Sequence, residues 1–539
     1  MKTMHNQFLS SIRKGDTFTE NIAVSNSTTG DNLVDQFGKA GSSRGRTLAE
    51  VFADMTAIWA VNPLSALRLI FYIRLITRII KGLWTTEEPQ RGQGNRDEAF
   101  KRMLWVAKYH PNTFYANMWL IPVIGSWKDL FELMYYDLEL QTNAIDRKQV
   151  YEHIRLGLAS QSVADLVAKY LPRVQTTKNT TTSRARYMSM FAKELTNYLK
   201  LNAKQYRIIK SAGTAHTWQQ QITKGLFDSI NFNLISGKAL FKLINSKFLT
   251  NNKLEEKYLK WIITQPVAKF TGYVFELGAK VGTKMSLAVK HTIDRQFEGL
   301  VQLAQKGTGA LKGNIFVAID TSSSMDARVA SDVTTAKNVA MSLGVFFSHM
   351  IKGAFQDYVI LFSHISTTKK LVGSFSDMYQ QTFTGACPGN TDFQSCIDAI
   401  TRLRYLHPNI PESDFPEMLL VVSDMQFDNP GYGYGSSPIA KQEYLKTNYN
   451  VAVEKLSKCF SPEFVSKFRF VWWVVTDRNS DFPQTIDEPG GYILSGFDGS
   501  ILSFLFGENT KKDGTALTME EAVDAALSQE VLLQLVVKD

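Results

Sequence analysis

The sequence predicts a protein of two classes in series: an all-α, HEAT-like helical-repeat ring or solenoid, then an α/β domain built on a doubly wound sheet. Three observations predict it. From Thr47 to about residue 263, apolar residues recur at helical spacing between short Pro, Gly and Asn breaks, and strand signals are rare. From Asn314 onward, short apolar runs rich in β-branched residues alternate with amphipathic stretches, as parallel strands joined by helices do. Charge divides at the same place. The whole chain carries +9, but residues 311–539 hold 18 Lys and Arg against 27 Asp and Glu, which leaves +18 on residues 1–310. At 539 residues the chain exceeds one core, so the expected parts are a flexible leader (1–41), a helical domain (42–310), an α/β domain (311–508) and a tail (509–539).

The leader lacks the apolar core of a signal peptide. After it, helices are expected at Leu48–Ala60, Leu64–Trp84, Asn95–Lys108, Trp127–Tyr136, Lys148–Leu156 and Ser162–Tyr170, with no repeat of fixed period. Leu64–Trp84 is apolar enough to ask whether it spans a membrane. Arg68, Arg74, Arg78 and Lys81 interrupt it, crossing would be costly, and no membrane partner is expected. At helical spacing Arg74, Arg78 and Lys81 share a face, and no acid lies between Asp54 and Glu87. That face is either solvated or a contact for a polyanion, so Arg74 and Arg78 are candidate RNA contacts.

The middle of the chain concentrates the charge. Between Lys169 and Lys210 stand Lys169, Arg173, Lys178, Arg184, Arg186, Lys193, Lys200, Lys204, Arg207 and Lys210, against one acid, Glu194. A solvated face mixes signs, so this excess points to anion binding. The polar linker Gln175–Ser183 places hydroxyls beside cations, a combination suited to phosphate oxygens. Tyr187, Phe191, Tyr198 and Tyr206 are interleaved aromatics, either core residues or platforms for unpaired bases. Helices continue at Lys200–Ser211, near Trp218–Phe227, and at Gly237–Leu249 and Lys253–Ile263.

In the second half, strands are expected at Ile315–Ile319, Tyr358–Phe362, Lys370–Val372 (an edge), Met418–Val422, Phe470–Val475 and Tyr492–Leu494. Helices are expected at Val333–Met350, Asp392–Leu406, Glu443–Ser457 and Gly499–Phe506. The first strand stops at Asp320, and D-x-S-x-S follows: Asp320, Ser322, Ser324. Such a compact cluster of hard oxygens suits Mg²⁺, which keeps few protein ligands and several waters. The alternative is that the serines cap the next turn. Thr391 opens the helix at 392, and Asp424 follows the strand at Met418–Val422. The loop Gly431–Ser437 follows Asp424 and is placed to border the site. Thr518–Glu521 fits a capping box.

Strand, D-x-S-x-S, loop threonine and strand-terminal aspartate together resemble the metal-ion-dependent adhesion site (MIDAS) of von Willebrand factor A domains. The resemblance implies Mg²⁺ or another divalent cation held directly by Ser322, Ser324 and Thr391, with Asp320 and Asp424 acting largely through water. It also implies an open position for a partner's acidic side chain. Gly125-Ser126-Trp127-Lys128-Asp129-Leu130, with Arg96-Asp97-Glu98 before it, resembles the G-x-x-K-D-L element of TROVE domains. Lys169–Arg173, Ile230–Leu240 and Ser423–Asp428 resemble a branch that carries a C-terminal von Willebrand A domain. The order of parts is similar to that of the Ro ribonucleoprotein family, which implies a basic helical ring that binds structured RNA outside and single-stranded RNA ends in its central hole.

Enzyme motifs are missing: Gly278–Lys284 has the wrong spacing for a phosphate loop, there is no H-E-x-x-H, and a nucleophile among Ser322–Ser324 would need a nearby His, for which His349 and His364 are candidates by proximity in sequence alone. A non-catalytic protein is expected. Cys387, Cys396 and Cys459 make no disulfide framework, which fits a reducing, cytoplasmic location. The leading expectation is an RNA-binding scaffold whose cation site recruits an acidic protein partner. The alternative is a cellular or viral assembly module that uses the cation site without specific RNA binding.

Overall fold

The computed structural model describes residues 15–80, 88–175, 181–213, 221, 224–244, 248–282, 284–306, 311, 313–329, 333–384, 389–430, 446–476, 481–502 and 517–538. Helices make up the first part, and a six-stranded mixed sheet organises the second. In chain order the helices that matter below are α1 (Asn32–Ala40), α2 (Leu48–Val61), α3 (Pro63–Arg74), α4 (Arg96–Tyr109), α5 (Trp127–Glu139), α6 (Arg147–Ala159), α7 (Ala164–Tyr170), α8 (Ser183–Tyr198) and α9 (Ala203–Ala212). Side-chain caps fix their starts. Thr47 and Glu50 form a capping box on α2, Asn62 caps α3 with Pro63 at its first position, and Asn202 with Gln205 boxes α9.

Helix α3 is the apolar pillar of the helical part, with Leu67, Leu69, Ile70, Phe71, Tyr72 and Ile73 all buried. It ends at Arg74 instead of running to Trp84 as expected. The β-branched residues Ile76, Thr77, Ile79 and Ile80 follow, and Arg78–Ile79 pairs antiparallel with Pro89–Gln90. The single cationic face expected of Arg74, Arg78 and Lys81 is therefore not formed by one helix, and Lys81 lies outside the described residues.

The long helix α10 (Leu287–Gln305), absent from the sequence expectations, leads into the α/β part and stacks Phe297 on Phe375 (4.3 Å between centroids). The sheet strands are β1 (Ile315–Asp320), β2 (Tyr358–Phe362), β3 (Ser366–Lys370), β4 (Met418–Ser423), β5 (Arg469–Val474) and β6 (Gly491–Ser495). Their order is β6-β5-β4-β1-β2-β3, all parallel except β3, which returns antiparallel to β2 a few residues before the edge expected at Lys370–Val372. Trp473 meets Phe347 of α11 (Ala336–Met350) on one face, and its neighbour Trp472 meets Phe393, just before α12 (Gln394–Leu406), on the other. Adjacent strand residues point to opposite faces, so helices cover both sides.

The two ends of the chain cross. Residues 15–41, expected as a flexible leader, are folded against the sheet: the Asn26 N–H donates to Phe482 O (3.0 Å), the Gly41 N–H donates to Ser495 Oγ (3.0 Å), and α1 packs on β6. The tail goes the other way. The capping box at Thr518 and Glu521 opens α13 (Met519–Leu527), which packs on α3. Beyond it, Gln529 exchanges hydrogen bonds with the Arg91 backbone, and Asn117 with the Val536 backbone. Among the described residues no helix is long and apolar enough to cross a membrane.

Candidate cation site and basic face

Strand β1 is flanked by β2, which follows it in sequence, and by β4, which comes later, so the strand order reverses between β1 and β4. Open parallel sheets place ligands at such a switch point, beyond the strand carboxyl ends. Asp320 ends β1, and Asp424 follows the last residue of β4. Asp320 is 0% exposed and accepts hydrogen bonds from the Ser322 N–H (2.9 Å) and the Ser423 hydroxyl (2.6 Å). The Ser322 and Ser324 hydroxyls lie 3.0 Å apart, and that of Ser324 bonds Asp424. Asp424 is 4% exposed and accepts from the Gln426 N–H (3.1 Å). The loop carrying Thr391 is tied to the same place, because the Ser323 N–H donates to Gly389 O (3.1 Å) and the Asp428 N–H donates to Thr391 O (2.9 Å). The fold thus gathers all five residues that the sequence singled out. Ser322 makes no side-chain cap on the short turn Ser323–Asp326, so capping does not account for it.

Among the described residues neither Asp320 nor Asp424 forms an ion pair. Burial, and then the charge of Asp424, push Asp320 up to about 7, while bonds from Ser423 and Ser322 hold it back. Burial likewise raises Asp424. Two buried acids facing hydroxyls, with no ion-pair partner among the described residues, fit a hard divalent ion. The described residues hold no group of three or more His, Cys, Asp or Glu side chains able to bind a metal, so an ion here would draw on Ser and Thr hydroxyls and on water. Three further acids belong to this end of the sheet, and sequence reasoning did not single them out: Asp392, which burial pushes up to about 6, Asp428, and Glu20. His349 is bonded to Asp357 (2.8 Å) and His364 to Ser363 (3.3 Å), and among the described residues neither has a hydrogen bond to Ser322, Ser323 or Ser324.

The basic candidates divide. Arg74 is 2% exposed and paired with Asp129, which is itself fully buried. Arg78 is half-buried and donates to Gly125 O (2.6 Å); burial and neighbouring Arg74 lower its pKa to about 10. Both are structural, a correction to their assignment as RNA contacts. The G-x-x-K-D-L element builds this pairing: Asp129 also closes the capping box with Ser126, and a Cβ on Gly125 would collide with the Asp129 carboxylate and the Arg74 guanidinium. Arg184 is partly exposed but forked onto Glu132, and Lys210 donates to the carbonyls of Leu171 and Lys169. Lys178 lies outside the described residues, as do 176–180 of the linker, residues 431–445 with the Gly431–Ser437 loop, Cys387, residues 503–506 of the expected last helix and residues 218–220 and 222–223 of Trp218–Phe227.

Seven candidates remain exposed with no acid partner among the described residues: Lys169, Arg173, Arg186, Lys193, Lys200, Lys204 and Arg207. They ride on α7, α8, α9 and the turns between them, and α7 packs on α9. The one acid of the stretch, Glu194, does not neutralise them, because it is engaged by Arg147 (3.0 Å) and the Tyr151 hydroxyl (2.7 Å). Of the aromatics, Phe191 and Tyr206 are core, while Tyr187 and Tyr198 are half-buried beside Tyr135 and Tyr151. A cavity of about 480 Å³ also opens at the seam between the helical and α/β parts, with Arg44, Arg96 and Lys238 in its wall.

The fold and its site define a helical, positively charged body joined to an α/β domain with an oxygen cluster at its switch point. Residues 19–224 match a family model described as Domain of unknown function (DUF2828), and residues 314–533 match one described as Domain of unknown function (DUF7788). The first match begins inside the segment expected as a leader, and the second runs into the expected tail; of these segments the structure packs residues 15–41 and 517–538. No curated protein matches the chain. Among solved structures it is similar to the crystal structure of Deinococcus radiodurans RO (RSR) protein, at 14% identity and a TM-score of 0.45, with 88% of this chain and 98% of that chain covered.

Proposed function

We propose that this chain is a non-catalytic RNA-binding scaffold of Ro/TROVE type, in which the exposed face of α7–α9 takes RNA and a von Willebrand A-like α/β domain holds a divalent cation. The observation that carries the RNA reading is the set of seven exposed cations, without acid partners among the described residues, on α7–α9 and the turns between them. Each can neutralise a phosphate, and release of condensed counterions then drives binding. The half-buried Tyr187 and Tyr198, on the same helix as Arg186 and Lys193, are the candidate stacking residues for unpaired bases. Asp320, Ser322, Ser324, Thr391 and Asp424 would hold the ion, Mg²⁺ by the hardness of the donors, and the ion would supply a positive pole for an acidic side chain of a protein partner.

The test is fluorescence anisotropy of the full chain with a labelled single-stranded RNA, titrated across salt, with DNA and heparin as competitors. The expected result is binding that weakens with a log–log slope of about −0.7 per phosphate neutralised and that RNA outcompetes DNA for. Equal affinity for every polyanion would overturn RNA recognition and favour the assembly-module reading.

A further inference from the structure

An open cleft of about 560 Å³ lies between the start of α6 and the last turn of α8, a size within the range of small-ligand sites, roughly 300–1,000 Å³. Lys148, Tyr151, Asn197 and Tyr198 line it. Its two acids are already engaged: Glu194 by Arg147 (3.0 Å) and the Tyr151 hydroxyl (2.7 Å), and Asp146 by the Lys148 N–H (2.9 Å) as the cap of α6. Tyr198 is half-buried, and its hydroxyl donates to Glu152 (2.9 Å), a carboxylate that Arg155 also holds (2.6 Å). The Tyr198 and Tyr151 rings meet tilted at 52°, 5.9 Å between centroids, so neither stacks on the other. Past Tyr198 the chain turns sharply. The Lys200 N–H donates to Asn197 O and the Leu201 N–H to Thr196 O (3.0 Å each), with Lys200 in the left-handed region (φ 54°), and this turn fixes the backbone at Asn197.

Asn197 is exposed, and its amide forms no hydrogen bond among the described residues. Lys148 is exposed in the first turn of α6, where the helix dipole favours an acid, and it has no acid partner among the described residues. Lys193 stands one turn before Asn197 on the same face of α8 and likewise has no acid partner among the described residues. A ring, an uncommitted amide and ammonium groups without acids are together the set that recognises a nucleotide. The ring stacks on a base, the donor and acceptor of the amide meet the base edge, and an ammonium meets a phosphate. Resting on the RNA reading above, we infer that this cleft is a base-binding subsite: it seats one unpaired base of a bound strand against Tyr198, with the base edge at Asn197 and neighbouring phosphates at Lys148 and Lys193. The basic face then favours single strands, because a paired base enters only by breaking its pair and leaving its stack.

The test uses the full chain and a dye-labelled strand of about seven abasic phosphate spacers, with and without one central 2-aminopurine, beside a labelled single-stranded RNA. Anisotropy reads affinity, and 2-aminopurine emission reads stacking. The expected result in wild type is binding of the base-bearing strand at least about fivefold tighter than that of the bare spacer strand, with the emission quenched. Tyr198→Phe, which keeps the ring, keeps most of that ratio, whereas Tyr198→Leu and Asn197→Ala each bring it to about twofold or less. Asn197 is exposed, so its variant tests the cleft even if Tyr198→Leu lowers the melting temperature. If wild type binds RNA but binds the two spacer strands equally, or if the ratio survives in both Tyr198→Leu and Asn197→Ala, the base subsite is overturned and the RNA reading stands. If wild type binds no RNA, the RNA reading falls and takes this inference with it.

Discussion

Asp129 in the helical part and Asp320 in the α/β part are both fully buried, and the fold treats them in opposite ways. Asp129 is met by the Arg74 guanidinium and, at 3.7 Å, by Arg96. Asp320 is met by serine hydroxyls and by a second acid. A buried charge is tolerated when a counter-charge and hydrogen bonds accompany it, and otherwise it shifts its protonation. The first carboxylate has its counter-charge within the chain. The second has no counter-charge among the described residues. The same division runs through the arginines: Arg74 and Arg102 are paired inside with Asp129 and Glu98, whereas Arg173, Arg186 and Arg207 face solvent without an acid partner among the described residues.

The contrast is broken most forcefully at Arg74. Arg74→Ala leaves Asp129 buried without its main partner, so a loss of about 3–5 kcal/mol is expected in denaturant unfolding. A loss below about 1 kcal/mol, with weakened RNA binding instead, would return Arg74 to the list of contacts.

Asp320 sharpens it next, through pH. Its folded-state pKa is raised, so between the unfolded value near 4 and about 7 the folded state binds more protons than the unfolded one. Without divalent ions, stability therefore falls as pH rises through that window, by an amount on the order of a few kcal/mol. Mg²⁺ restores it at pH 7.5, and Asp320→Asn flattens the profile. Thermal melts from pH 4.5 to 7.5, with and without Mg²⁺, measure this, and a wild-type profile indifferent to Mg²⁺ would contradict it.

How much of this was legible in the sequence depended on distance along the chain. Strands β1 and β4 were plain because Ile315–Ile319 and Met418–Val422 are apolar runs buried on both faces, and the oxygen cluster was plain because three of its members sit within five residues. The burial of Arg74 was not, because its partner lies 55 residues away and a charged helix face reads the same whether it meets water or an aspartate. The fate of residues 15–41 was still less readable. Their polar, Thr- and Asn-rich composition reads as a leader, and the bonds that fix them reach residues 426–429 and 482. Helix α10 was missed although Ser286 caps it, since its apolar residues are diluted by Lys290, His291, Asp294, Arg295 and Glu298.

On the basic face the smallest effect separates two neighbours. Arg184 is held by Glu132 and Arg186 is not. Arg184→Gln is expected to change RNA affinity by less than about twofold, and Arg186→Gln to weaken it more and to lower the salt slope by about 0.7. Parallel salt titrations of the two variants decide it.

The division of labour between the two regions is tested most directly by measuring RNA affinity at physiological salt for wild type, Arg173→Glu/Arg186→Glu/Arg207→Glu and Asp320→Asn side by side. The account predicts a loss of at least about tenfold in the triple variant, with unchanged melting, and wild-type affinity in Asp320→Asn. Full RNA binding by the triple variant, or its loss in Asp320→Asn, would contradict it.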